Sequence, residues 1–232
     1  MLVAWKTRRR GGEEASVSSH NLFRMSGFAL VLAGAMFMVA ELISLSILAQ
    51  GEVDEMRRIA TTDSYFLQSF STLVGGILLL GGLVGLYVRQ AEAAKKLGVV
   101  GFVLAFLGTA LVMGDFYANT FITPLVALEA PSFLDSPLAG VLQVWLPFDF
   151  VLLAVSWLVL CVATVRARVY PRGASWLLAG GAVLALLPLP LVNLVFEAAL
   201  AWLGLVLLKG SGPSGGGAAR RGKRSRQRAR AA

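Results

Sequence analysis

The apolar residues of this chain are gathered into blocks of about twenty, separated by short polar segments, and a block of that length is what one α-helix needs to cross the hydrocarbon core of a bilayer. Inside a bilayer the backbone has no water to bond, so only helices and closed β-barrels span it. A barrel would show apolar and polar residues alternating in segments of about ten, and the blocks here do not alternate. The expected fold is therefore an all-α, polytopic membrane helix bundle. With 57% hydrophobic residues and a mean hydropathy of +0.74, water is not its main solvent.

Six transmembrane helices are expected, at Gly27 to Ala49, Tyr65 to Val88, Leu97 to Asn119, Leu142 to Val165, Ala174 to Leu189 and Leu191 to Leu208. Pro188 and Pro190 flank Leu189 where the last two spans meet, and proline disfavours helix in the residue before it, which predicts a tight hairpin there. A single kinked helix from Ala174 to Leu208 would be too long for one crossing. The segment Thr120 to Val141 contains Pro124, Pro131 and Pro137 and is expected as an outer loop, either lying along the interface or dipping inward under cover of protein.

Charge sets the orientation. Lys6, Arg8, Arg9, Arg10, Arg24, Arg89, Lys95, Lys96, Arg166, Arg168, Arg172 and Lys209 all fall on one side of this arrangement, together with the tail residues Arg220, Arg221, Lys223, Arg224, Arg226, Arg228 and Arg230. The other side holds only Arg57 and Arg58, beside Glu52, Asp54, Glu55 and Asp63. Positive residues stay in the cytoplasm, so both termini are expected there. Residues 1–24 then form a basic cytoplasmic tail, 25–209 the six-helix domain and 210–232 a disordered basic tail of Gly, Ser, Ala and Arg. The first apolar block is longer than a signal-peptide core, carries Glu41 and lacks a convincing cleavage site, so it is expected to remain.

The net charge of +8 would suit nucleic acid, but its concentration beside spans points to the bilayer and its anionic lipids as partners. Lipid contact by Arg220 to Arg230 is favoured over nucleic-acid binding, because the tail starts a short linker beyond the membrane. Small residues on helix faces offer a second kind of partner. Gly98, Gly101, Ala105 and Gly108 make a seam at spacings of three and four, continued by Val112, Asp115 and Asn119. Such faces pack against other helices, within this chain or in a homo- or hetero-oligomer.

Four acidic residues fall inside the expected spans, Glu41, Asp115, Asp149 and Glu197, and no Lys, Arg or His lies inside any span to neutralise them. A charge at the bilayer centre costs about 2.5 to 3.5 kcal/mol, so these carboxylates are expected to face the bundle interior. At 1.5 Å per residue, Glu41, Asp149 and Glu197 come out roughly 10 Å below the outer boundary, with Asp115 nearer to it. Asn193 precedes Glu197 by four and Asn119 follows Asp115 by four. Glu41, Asp149, Glu197, Asp115, Asn193 and Asn119 are thus the candidate lining of a proton- or cation-binding pocket open to the outside. The bland alternative leaves the acids hydrated at the interface.

Catalysis finds little support. Gly114 and Asp115 resemble part of the glycine-x-glycine-aspartate motif of intramembrane aspartyl proteases, but Val112 stands where the first glycine belongs, Phe148 replaces the partner tyrosine before Asp149, and the order is reversed. The one histidine is His20 and the one cysteine Cys161, so haem, zinc and serine-hydrolase sites lack their residues. No catalytic, cofactor-binding or metal site is read from the sequence.

Leu86 to Ala110, LYVRQAEAAKKLGVVGFVLAFLGTA, together with Ala163 to Pro190, resembles small multi-spanning inner-membrane proteins of high-GC bacteria that carry no assigned function. The resemblance implies a fold and a place in the bacterial inner membrane, and no active site. The functional expectation is a proton- or cation-linked transporter or sensor, with a non-catalytic scaffold or partner subunit of a membrane complex as the alternative.

Overall fold

A helix runs on until something breaks its hydrogen-bond ladder, and few residues here do so. The computed structural model describes residues 2–49, 56–134, 137–185 and 191–210, with side chains at 20–49, 58–133, 148–185 and 191–210. Its elements are α1 (Leu2–Ala49), α2 (Met56–Ile59), α3 (Asp63–Tyr117), a π-helical turn (Ala118–Ile122), α4 (Thr123–Glu129), α5 (Pro131–Leu134), α6 (Pro137–Ala167), α7 (Arg172–Leu184) and α8 (Asn193–Gly210). No strand occurs among the described residues. Pro188, Pro190 and the tail from Arg220 to Arg230 lie outside them.

Two differences from the sequence reading concern boundaries. The backbone of the expected N-terminal tail is helical from Leu2, continuous with the first apolar block. The expected outer loop is helical as well. Pro131 opens α5 and Pro137 opens α6, positions where a missing N–H leaves no bond unmade, while Pro124 falls in the first turn of α4 directly after the π turn. The ladder passes from α3 into α4 through the π turn, with the Thr120 hydroxyl donating to the Phe116 carbonyl at 2.7 Å. Proline thus marks helix starts in this segment, where irregular chain was expected.

At 55 residues, α3 would be about 80 Å long if straight, against a hydrocarbon core of about 30 Å. It is not straight, because Lys95 leaves helical geometry at φ 50°, ψ −138° and divides it into limbs 63–94 and 96–117. Contacts between the limbs run in opposite order. Tyr65 meets Asn119, Gly76 meets Met113 and Phe116, and Tyr87 stacks on Phe102 with ring centroids 4.5 Å apart. The limbs therefore form an antiparallel hairpin turning at Lys95.

The same argument orders the rest. Along α1, Ser26, Leu30 and Phe37 meet Gly85, Gly82 and Gly75 of α3, while Gly27, Gly34 and Glu41 meet Gly204, Glu197 and Leu191 in and before α8. Gly101 and Gly108 meet Leu160 and Ser156 of α6, and Gly173 and Gly181 of α7 meet Trp202 and Phe196 of α8. Every pair is antiparallel. Six helical limbs alternate in direction, with the start of α1, the Lys95 turn, the α6–α7 turn and the end of α8 at one end.

Close approach replaces side-chain interlocking at these seams. A Cβ added at Gly34 would lie 2.7 Å from the Glu197 carbonyl oxygen, and one at Gly204 2.7 Å from that of Gly27. Gly98, Gly101, Ala105, Gly108 and Val112 are all buried; a Cβ at Gly101 would sit 2.9 Å from the Leu160 Cα, whereas at Gly98 only Ala94 is near. Leu30, Leu83, Trp157, Leu160, Leu200 and Leu203 fill the core between the limbs. The outer faces stay apolar, with Ile77, Leu107 and Leu111 each more than half exposed.

The Lys95 turn yields a first prediction. A positive φ crowds the Cβ against the following carbonyl and costs on the order of 1 kcal/mol, a penalty glycine escapes. Lys95→Gly should stabilise the protein by about 0.5–1 kcal/mol, read as a raised unfolding midpoint in detergent. A lowered midpoint would show that the lysine is held there by contacts worth more than the strain.

Candidate functional site

Helical spacing puts several polar side chains of different limbs on inward faces, at the end away from the Lys95 turn. Phe37, Ala40 and Glu41 of α1 follow spacings of three and one, so they share a stripe. Tyr65, Gln68, Ser69 and Thr72 do the same at the start of α3, as do Thr109, Val112, Phe116 and Asn119 in its second limb. Phe150, Ala154 and Trp157 of α6, Ala182 of α7, and Asn193, Phe196 and Glu197 of α8 complete the ring. These stripes line an open-sided cavity of about 520 Å³ to which all six limbs contribute. No Lys, Arg or His lines it among the described residues.

The two glutamates are bound differently. Glu41 sits at the rim, where its Oε1 accepts the backbone N–H of Leu191 at 3.1 Å. Leu191 has φ 68°, a left-handed conformation that ends the turn entering α8 and aims this N–H at α1. Glu197 lies deeper and is 6% exposed, and its Oε2 is buried with no hydrogen-bond partner. The pair is close enough for like-charge repulsion when both are ionised. A buried carboxylate oxygen without a donor is rare in folded proteins, because the lost hydration is not replaced.

Of the six residues proposed from sequence, Glu41, Glu197, Asn193 and Asn119 line this cavity, and Asp115 and Asp149 do not. The aspartates form a second pair, near each other where the second limb of α3 meets α6. Asp149 is one position short of Phe150, about 100° round α6 from it, while Asp115, three after Val112 and four before Asn119, lies at the edge of the lining stripe on the side toward α6. Asp115 is partly covered, with Oδ2 buried and unpartnered.

Sequence reasoning missed the cavity's walls. Trp157 is 1% exposed and donates through Nε1 to the Thr109 hydroxyl at 3.1 Å, while Thr109 donates to the Ala105 carbonyl at 2.7 Å. Trp157 and Phe196 pack edge to face with centroids 5.0 Å apart, and Phe37 and Phe116 do so at 6.3 Å. Tyr65 donates a long 3.5 Å bond to Asn119 Oδ1. Phe37 stands four residues before Glu41 and Asn193 four before Glu197, so their shared faces were visible as spacing; the rest depends on which helices adjoin. At the rim Tyr65 also packs with Ala60 and Ala127, which ties α4 down beside the opening.

The opposite end carries most of the basic residues. Arg89 donates to the Val206 carbonyl at 3.0 Å and lies 5.5 Å from the Tyr170 ring centre, and the Tyr170 hydroxyl donates to the Leu86 carbonyl at 3.0 Å. Burial holds that hydroxyl protonated well above the usual phenol range, opposed by the Arg89 charge. Arg166, Arg168 and Arg172 surround a second cavity of about 540 Å³ between α6 and α7.

Fold and site together define a class: an all-helical bundle with helices long and apolar enough to cross a membrane at His20–Ala49, Asp63–Glu129, Phe148–Ala167 and Asn193–Gly210, and an acidic, aromatic-walled cavity at one end. No protein-family model, curated protein or solved structure matches the chain. Among the described residues, no group of three His, Cys, Asp or Glu is placed to hold a metal ion.

Proposed function

We propose that this is a multi-pass protein of the bacterial inner membrane, crossing six times with both termini in the cytoplasm, and that its central cavity binds a cation or proton entering from the outside during transport or sensing. The observation that carries the reading is the Glu197 Oε2 oxygen, buried in a cavity wall without a donor and without a basic neighbour among the described residues. An intramembrane carboxylate is expensive and is retained where something binds it. Orientation is supported by the gathering of Arg24, Arg89, Lys95, Lys96, Arg166, Arg168, Arg172 and Lys209 at the end opposite the cavity. The basic tail adds contact with anionic lipid of the cytoplasmic leaflet.

The test compares the wild type with Glu197→Gln, in which the amide keeps shape and loses charge. Titrating a panel of monovalent cations and protons into the purified protein, we expect at least one to bind, with Glu197→Gln weakened tenfold or more. The variant should unfold no earlier than wild type, because an isosteric amide removes a buried unpaired carboxylate. No cation binding by a folded wild-type protein would overturn the reading.

A scaffold or partner-subunit role is the second reading, and it has its own observation. Gly81, Gly114 and Gly180 are exposed, and a Cβ at any of them would meet nothing within 4 Å. Small residues on outward faces are where a helix of another subunit can approach closely.

A further inference from the structure

A proton or a bare inorganic ion would leave most of the central cavity unexplained. One water takes about 30 Å³ of liquid volume, whereas the cavity holds about 520 Å³, the range of sites that enclose drug-sized molecules. Away from Glu41 and Glu197 its surface is mostly apolar and aromatic. Phe37 and Phe116 pair on one side, and Trp157 and Phe196 on another, so ring edges and faces of two aromatic pairs border the space around the glutamates. Water would find partners at Gln68, Thr72, Asn119 and Asn193 but none along these rings. An organic body would meet them with dispersion contacts, and a cationic centre would be attracted both by the carboxylates and by the ring faces.

Resting on the cation reading above, we propose that the ligand of this cavity is an amphipathic organic cation, with aromatic or branched alkyl groups on a quaternary or protonated ammonium centre. Glu197 is the anchoring group. Its residue is more than nine-tenths buried and its Oε2 is unpartnered in the wall, which supplies a site for the charge independently of the acidic pairing. Glu41, at the rim and already bonded to the Leu191 N–H, meets the cation during entry. The Thr109 hydroxyl is occupied by Trp157 and by its own helix, and Trp157, itself buried, backs the Phe196 ring at the cavity wall. A quaternary centre asks for no acceptor beyond the glutamates.

The experiment is equilibrium dialysis of labelled tetraphenylphosphonium against the full-length protein in detergent, with a protein-free micelle blank and triphenylphosphine oxide as a neutral analogue. Sodium and potassium binding are measured in parallel. The expected result is saturable binding of tetraphenylphosphonium, absent for the neutral analogue and weakened at least tenfold in Glu197→Gln. Phe196→Leu should weaken it about threefold to thirtyfold, as loss of a desolvated cation–π contact predicts, and leave sodium or potassium binding, if present, unchanged. Trp157→Phe keeps a ring with less disturbance of packing and should bind more tightly than Phe196→Leu. Binding of sodium or potassium at Glu197 without tetraphenylphosphonium would overturn the organic-ligand proposal and keep the cation reading. Equal binding of the neutral analogue would overturn the organic-cation proposal, and binding of nothing by a folded protein would overturn both.

Discussion

Gly204→Leu should leave little folded protein to purify. The Gly204 Cα packs on the backbone of α1, and even a single added carbon would fall 2.7 Å from the Gly27 carbonyl and 2.8 Å from the Val31 N. Backbone cannot rotate away as a side chain can, so α1 and α8 must separate along their length, breaking the seam at Gly27, Gly34 and Gly204 together. Overpacking alone costs about 1–3 kcal/mol, and losing a helix interface adds to it, so the expected loss exceeds about 3 kcal/mol. Gly114→Leu and Gly180→Leu provide the contrast: their Cβ positions are open, and leucine favours helix over glycine by somewhat under 1 kcal/mol. Those two should unfold at or above the wild-type midpoint in detergent. Equal tolerance of Leu at 204 and 180 would mean that α1 and α8 do not adjoin. In cells, loss of a complex with Gly180→Leu or Gly114→Leu, without loss of stability, would favour the partner-subunit reading.

Labelling from outside the cell should be all or none. With Cys161 replaced by Ala, a buried site where a small apolar residue fits, single cysteines are placed at Thr61 and at Ala93, both exposed. Thr61 lies between α2 and α3 at the cavity end, and Ala93 two residues before the Lys95 turn. An impermeant thiol reagent added to intact cells should modify the cysteine at 61 and spare that at 93 until the membrane is opened. The positive-inside bias sets this expectation, and the alternating limbs set which residues lie at which end. Labelling at 93 in intact cells would invert the topology and place the cavity on the cytoplasmic side. The carboxylate site would remain, but the ligand would have to enter from the cell interior.

Transfer energetics and the 3.6-residue period act along one helix at a time, and what depends on them was legible in the residues. The apolar blocks announced helices; the stripe Gly98, Gly101, Ala105, Gly108 and Val112 marked a buried face; the uncompensated acids marked positions that must avoid lipid. Proline chemistry was read less well, since Pro131 and Pro137 restrict the chain before them but are harmless in a first turn, and Pro124 is accommodated just after the π turn. Whether a proline ends one helix or begins the next depends on whether the following segment packs, and α4 packs through Ala127 against Ala60 and Tyr65.

Which acids share a space was decided only between helices. Glu41 and Asp149 have similar expected depths, yet Glu41 faces Glu197 across α1 and α8, while Asp149 faces Asp115 across α6 and the second limb of α3. Depth follows from counting residues along one axis, but pairing follows from the rotation of each helix about that axis and from the identity of its neighbours. Those are set by contacts such as Gly34 on Glu197 and Gly108 on Ser156, where the absence of a side chain on one helix lets the other come near. A sequence specifies that a small residue permits close approach; it does not name the residue that approaches. The aromatic walls of the cavity follow the same rule, because Phe37, Phe116, Trp157 and Phe196 belong to four different limbs and become one surface only when the limbs assemble.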